Sequence, residues 1–247
     1  MVELREFVDF LNKELVLDKI SDKCQNGLQV QGKDGVTKVA FAVDVTLKVI
    51  QKAIKNECDM IISHHALIWT PPRVITGLLS NKLRLLMKRD MSLYVAHHPI
   101  DVHKKYSHGK LIADELGLYG LDKFGKSGEH YFGFSGNIRK KVSIENLKKM
   151  VDIKLKSDSR IFPYGKKEIS SICIISGGGG FAVEQAVAKD IDCYITGEMK
   201  HEDLLAAKDR NLNVLLAGHY ETEKLGMIKL SHSITKKFKI PCVFIES

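Results

Sequence analysis

Leu4, Phe7, Val8, Phe10 and Leu11 recur at helical spacing and predict an opening amphipathic helix, followed by a turn-rich stretch around Gln25-Asn26-Gly27. Beyond it the pattern changes to short apolar runs separated by amphipathic ones. Val39 to Val43 reads as a strand, Thr46 to Lys55 as a helix, Asp59 to Ser63 as a strand, Asn81 to Arg89 as a helix and Ser92 to Ala96 as a third strand. The alternation restarts late in the chain. Strands are predicted at Ser171 to Ile175, Asp192 to Ile195, Asn213 to Leu216 and Pro241 to Ile245, with helices near Phe181 to Lys189, His201 to Arg210 and Glu221 to Lys237. Strands alternating with helices predict an α/β protein of two halves with mostly parallel, helix-covered sheets.

Between the halves lies a Gly-punctuated strand, Tyr131 to Ile138, then Arg139-Lys140-Lys141 and a helix N-capped by Ser143 with Leu147, Met150 and Val151 inward. The expected organisation is therefore residues 1–122 as an N-terminal α/β half, 123–168 as a strand-helix segment packed with the C-terminal half, and 169–247 as that half. Charge sharpens this division. Residues 123–168 hold 12 Lys and Arg against 5 Asp and Glu, which is nearly all of the chain's net charge of +8.

The 247 residues, 44% of them hydrophobic, suffice for a substantial core, and no apolar run approaches the roughly 20 residues that cross a bilayer. The N-terminus resembles a helix start rather than a signal peptide, so a cytoplasmic protein without a membrane partner is expected. Five scattered cysteines, Cys24, Cys58, Cys173, Cys193 and Cys242, include no Cys-x-x-Cys pair and argue against a disulfide framework or a thiolate zinc site.

Functional groups of doubly wound sheets gather beyond the carboxyl ends of strands. Three clusters fall there: Ser63-His64-His65, His97-His98-Pro99-Ile100-Asp101 and Gly218-His219-Tyr220-Glu221-Thr222-Glu223. His219 and Glu223, four apart at a helix start, share a face. Adjacent His64 and His65 converge only if the chain turns after the strand. Each histidine alone reads as an ordinary hydrogen-bonding side chain; three clusters after three strands predict a shared divalent-metal site. His64, His65, Asp101, His219 and Glu223 offer more donors than one tetrahedral ion takes, so two ions are the economical expectation.

Asn26-Gly-Leu-Gln-Val30, Ser63-His-His65, His97-His-Pro-Ile-Asp101, Ser176-Gly-Gly-Gly-Gly180, Ile195-Thr-Gly-Glu-Met-Lys-His201 and Ala217-Gly-His-Tyr-Glu-Thr-Glu223 together resemble the GTP cyclohydrolase 1 type 2 family, also described as a factor-three-like group. These stretches run in the family's order over essentially the whole chain. The resemblance implies interlocked α/β halves, a dinuclear site with His64, His65, Asp101, His219 and a bridging Glu223 as ligands, and a toroidal homohexamer. It places His97, and Glu198 of Thr-Gly-Glu, around the ligands as candidates for moving a proton. The glycine run lacks the ending of a P-loop and reads as a tight turn rather than a nucleotide loop.

Three functions follow as expectations. Two cations close together support hydrolysis of a small-molecule substrate near neutral pH, and a mixed His and carboxylate set suits Zn, Mn, Fe, Co or Ni. Alternatively Arg139, Lys140, Lys141, Lys148 and Lys149, with Lys154, Lys156, Lys166 and Lys167, meet the phosphates of DNA or RNA without reading sequence. The third is a metal-binding adaptor without turnover.

Overall fold

The computed structural model of the protein describes residues 1–70 and 74–247. They divide into two compact units, Met1–His103 with Gly226–Ser247, and Lys104–Leu225. The first unit opens on β1 (Val2–Glu3) and the helix Leu4–Glu14, continues through β2 (Gly27–Val30) and β3 (Gly35–Val36), and then sets down β4 (Val39–Ala42), β5 (Met60–Ser63) and β6 (Ser92–Val95). All twelve positions of these last three strands are buried, as apolar runs covered on both faces require. The helices Leu47–Lys55 and Gly77–Lys88 connect them, and Thr46 caps the first by accepting the Val49 N–H at 3.1 Å.

The second unit builds β7 (Tyr119–Ser127), β8 (His130–Ser143), β9 (Arg160–Phe162), β10 (Glu168–Gly178), β11 (Cys193–Glu198) and β12 (Asn213–Leu216) into a sheet of order β7-β8-β10-β11-β12-β9. Ser143 caps the helix Ile144–Leu155 as expected, its hydroxyl accepting from Asn146 N–H at 3.3 Å, with Leu147 and Val151 buried and Met150 packed beside them. The last strand, β13 (Cys242–Phe244), pairs in parallel with β4 and gives the first sheet the order β13-β4-β5-β6-β2. The α/β expectation holds, and the first sheet is mostly parallel as expected, whereas in the second the pairings β7-β8, β8-β10 and β12-β9 are antiparallel. The C-terminal strand, read from sequence as the end of the second half, completes the first sheet instead, because β4 offers it an open edge.

The two units repeat one plan. In each, three adjacent parallel strands, β4-β5-β6 and β10-β11-β12, are followed across the sheet by a short antiparallel one, β2 beside β6 and β9 beside β12, and β13 adds a fourth parallel strand to the first. Each middle strand is preceded by a buried aspartate that ties the start of its neighbour. Asp59 accepts from Thr37 N–H and Oγ1, each at 2.6 Å, from Lys38 N–H at 3.2 Å and from Lys33 Nζ at 2.5 Å. Asp192 accepts from Ser170 N–H at 2.9 Å and Oγ at 2.8 Å, from Ser171 N–H at 3.0 Å and from Lys166 Nζ at 2.8 Å. Burial opposes ionisation at both, but the lysine and the hydroxyl and backbone donors outweigh it and hold both carboxyls below the usual carboxylate range.

This plan makes the strands end level. Ala42 pairs with Ser63 and Ser63 with Val95, so the residues that follow emerge together on one edge. In the second unit Ile175 pairs with Thr196 and Thr196 with Leu216, to the same effect. No helix among the described residues is long and apolar enough to cross a membrane.

Candidate metal centre

In the first unit the edge carries imidazoles. The chain turns after β5, where Ser63 Oγ donates to the His65 carbonyl at 2.8 Å, and this frees His64 and His65 from opposite faces. His64, His65 and His97 bring one ligand atom each to within 4.8 Å of one another, and His97, His98 and Asp101 do the same. His64 Nε2 lies 3.8 Å from Asp101 Oδ1, and both residues are buried.

What points these rings is the bonding of their other nitrogen. His64 Nδ1 meets the Ala96 carbonyl at 3.1 Å, His65 Nδ1 meets Asp44 Oδ1 at 2.8 Å, and His97 Nδ1 sits 3.0 Å from both oxygens of Asp22. Carbonyls and carboxylates only accept, so in each case Nδ1 carries the hydrogen. Nε2 is then the ring atom left to offer a lone pair, the arrangement in which histidine binds a metal.

Asp22 does more than orient one ring. Its side chain, 2% exposed, also accepts from His98 N–H at 3.0 Å and Asn26 Nδ2 at 2.8 Å, while Asn26 Oδ1 takes the His97 N–H at 2.8 Å. Burial opposes ionisation of Asp22, yet the His97 and Asn26 bonds overcome it and hold the carboxyl well below the usual range. The Asn26-Gly27 motif is thus the clamp on the turn that delivers His97 and Asp101.

In the second unit His219 begins the short helix His219–Thr222 after β12, and Glu223 ends it at φ −108° before the helix Lys224–Phe238 starts. The single helix expected from Glu221 onward is therefore two. His219 Nε2 lies 3.2 Å from Glu223 Oε1, and its Nδ1 lies 3.0 Å from Glu198 Oε1. The bond to Glu223 raises the imidazole pKa to about 9 against the opposing effect of burial, with Glu198 adding to it. Two carboxylates around one ring mark a place that attracts positive charge.

The glycine run serves this pair. Gly177, at φ +62°, passes under it so closely that a Cβ there would stand 2.2 Å from Glu223 Oε1 and 3.1 Å from His219 Nε2. Its N–H donates to Thr222 Oγ1 at 3.0 Å and its carbonyl accepts from Thr196 Oγ1 at 3.1 Å. The run is a close approach of strand to helix rather than a free loop.

The structure thus brings His64, His65, His97 and Asp101 together in one unit, and His219, Glu223 and Glu198 in the other. Asp22 and Asp44, which orient His97 and His65, were not singled out from sequence. Asp44 follows β4 and was findable by the strand-end rule; Asp22 lies in irregular chain and carried no signal. Imidazole nitrogens with committed Nδ1 hydrogens, beside buried carboxylates, form a donor set that fits divalent ions of N and O preference.

The basic segment divides in two. Lys148 is engaged by Asp152 at 2.5 Å and Asp158 at 3.2 Å, Lys154 by Glu115 at 3.2 Å and Lys166 by Asp192 at 2.8 Å. Arg139, Lys140 and Lys141 are exposed, in an irregular stretch where the β8 pairing steps from Asn137 opposite Ser171 to Val142 opposite Ile169.

Fold and donor clusters define an α/β protein with candidate metal-ligand groups at its strand ends. The chain belongs to the Duf34/NIF3 (NGG1p interacting factor 3) family, whose model matches residues 2–247. A curated relative from Pyrococcus abyssi, called "GTP cyclohydrolase 1 type 2 homolog", is 38% identical over 100% of this chain and 98% of its own. Among solved structures, the protein TTHA1606 from Thermus thermophilus is 30% identical with a TM-score of 0.89, covering 100% of this chain and 98% of that one. A protein described as "ybgI, unknown function" is 26% identical with a TM-score of 0.93 and the same coverages of 100% and 98%.

Proposed function

We propose that His64, His65, Asp101, His219 and Glu223 hold two divalent ions in one centre, and that the protein is a metal-dependent hydrolase of small molecules. The observation that supports this reading most is the shared Nδ1 bonding of His64 and His65, which leaves both Nε2 atoms as donors, that of His64 beside the buried carboxylate of Asp101. Ions held there would supply Lewis acidity toward a substrate oxygen and toward water near neutral pH.

The chain's own residues divide the remaining work. Asp22 and Asp44 fix ring orientation, and Gly177 seats Glu223 against His219. His97, with Nδ1 held by Asp22, is placed to hold a proton at Nε2, and Glu198, with a side chain 64% exposed, to exchange one with solvent. The relatives' name puts GTP into the substrate screen beside phosphoesters. The test is hydrolysis by metal-loaded protein and by Glu223→Gln. Turnover that falls at least about a hundredfold in the variant supports the hydrolase; turnover unchanged by it overturns the role of Glu223. Retained metal without turnover on any substrate favours the adaptor reading.

A second reading draws on the exposed Arg139, Lys140 and Lys141, thrown out of the β8 ladder where Lys148, Lys154 and Lys166 are neutralised. If this edge meets nucleic acid, binding of a labelled duplex weakens as salt rises, and neutralising the three residues flattens that dependence. Absence of binding at low salt ends it.

A further inference from the structure

Gln29, the fourth residue of the Asn26 to Val30 motif, touches none of the metal donors. It reaches instead to the chain leaving His64-His65. Its Oε1 accepts from Leu67 N–H at 3.1 Å and Ile68 N–H at 2.9 Å, and its Nε2 donates to the Ile68 carbonyl at 2.8 Å and the Gln25 carbonyl at 2.7 Å. Two more ties follow: Trp69 forms a β-bridge with Cys24, and Thr70 N–H donates to the Lys23 carbonyl at 3.0 Å. An amide side chain satisfying successive backbone groups holds a segment as a strand neighbour would. The segment it holds is a wall.

That wall faces the helix Gly77–Lys88 across a cavity of about 370 Å³, lined by Leu67, Ile68, Trp69, Leu79, Lys82 and Leu83 among others. The volume lies within the usual range for small-molecule sites, which runs from about 300 to 1,000 Å³. Among the described residues the lining side chains are apolar except Lys82, and no hydrogen bond or ion pair engages its ammonium. Burial lowers the Lys82 pKa while Asp44 opposes that effect. Two links place the cavity beside the donors: the Trp69 ring stands edge-on to His97 at 5.3 Å, and Asp44, whose charge Lys82 feels, holds His65.

We propose that this cavity is a binding subsite for a small aromatic anion, with its planar body between Trp69 and the leucines of the helix and its negative group on Lys82. Charge complementarity and the apolar walls select that class: a neutral polar molecule would strand its hydrogen-bonding groups, and a cation would meet Lys82. The subsite deepens the hydrolase reading, in that the proposed substrate would present such a group beside the metal donors. Its occupancy, however, can be read without metal.

Trp69 is the chain's only tryptophan, so its fluorescence reports on the cavity alone. The full-length protein, stripped by a chelator, is titrated with 8-anilinonaphthalene-1-sulfonate. The expected result is saturable quenching of Trp69 at one probe per chain. Lys82→Met should weaken it about tenfold, the loss of one partly desolvated charge pair, and Leu79→Arg should abolish it. A neutral naphthalene of similar size should bind as weakly to the parent protein as to Lys82→Met. If Leu79→Arg fails to fold, Lys82→Met and the neutral probe carry the test. Quenching that does not saturate, or that is the same in Lys82→Met, overturns the subsite. So does a sedimentation result in which Leu79→Arg dissociates an oligomer and the probe binds only the dissociated form, because the exposed Val74, Ile75 and Leu78 would then be covered by a second copy of the chain. Loss of binding with metal content intact counts against the cavity alone; intact binding in a chain that never holds metal counts against the metal reading alone.

Discussion

Gly177→Ala is expected to weaken the proposed metal binding by His219 and Glu223 while leaving the protein folded. Two effects add. Alanine at φ +62° costs about 1 kcal/mol because its Cβ crowds the backbone in the left-handed region. The larger effect is steric: the new methyl would occupy the space of Glu223 Oε1, and that residue is buried, 4% exposed. Moving it also removes the 3.2 Å contact that orients His219. Affinity for metal at these two ligands, read by titrating the metal-free protein, should fall at least about tenfold, since ligand misplacement of this kind costs one to two orders of magnitude in affinity. The neighbouring Gly178 supplies the control, because a Cβ there meets nothing within 4 Å. Gly178→Ala should keep its metal, and equal retention by both variants would show that the close approach at Gly177 has no bearing on the ions.

The second large effect concerns stability in acid. Asp192 holds the start of β10 to the start of β11 through three bonds from Ser170 and Ser171, and Asp59 does the same in the first unit through Thr37 and Lys38. Both carboxyls are depressed below the unfolded value of 3.8, so each contributes stability that is fully present above about pH 4 and is lost as pH falls from there toward the folded pKa. Lys166 is 58% exposed and its pair with Asp192 is largely screened, so the buried hydroxyl and backbone bonds supply most of the effect. Asp192→Asn should cost about 3 kcal/mol at neutral pH, the scale of a buried charged acceptor, and should flatten the acid limb of a denaturation series. An unchanged acid limb would mean that other carboxylates set it.

Much of this architecture was legible in the chain because β4, β5, β6 and β12 are short continuous apolar runs between turn residues. Buried parallel strands demand such runs. The donors were legible for a related reason: parallel strands that end level deliver whatever follows them to one edge. β7 was not legible. Seven of its nine residues are not buried, so it shows no alternation, and its identity as a strand comes from pairing with β8. The helix His108–Glu115 carries a polar, glycine-containing start that hides its buried Ile112 and Ala113.

The supports of the site were harder still. Asp22 and His97 are 75 residues apart, and Gln29 and Ile68 are 39 apart. No local pattern links such partners, whose value lies entirely in the fold that brings them together. The same holds for β13, whose five-residue apolar run says that it is a strand and nothing about which sheet receives it. Tertiary partnership, rather than local preference, is what the sequence leaves implicit.

The proposal that five side chains hold two ions is tested most directly by counting metal. Protein purified without chelator, then exchanged against excess divalent metal and desalted, should carry two ions per chain by elemental analysis, and Glu223→Gln should carry fewer. One ion or none per chain in the unsubstituted protein would rule out the two-ion centre.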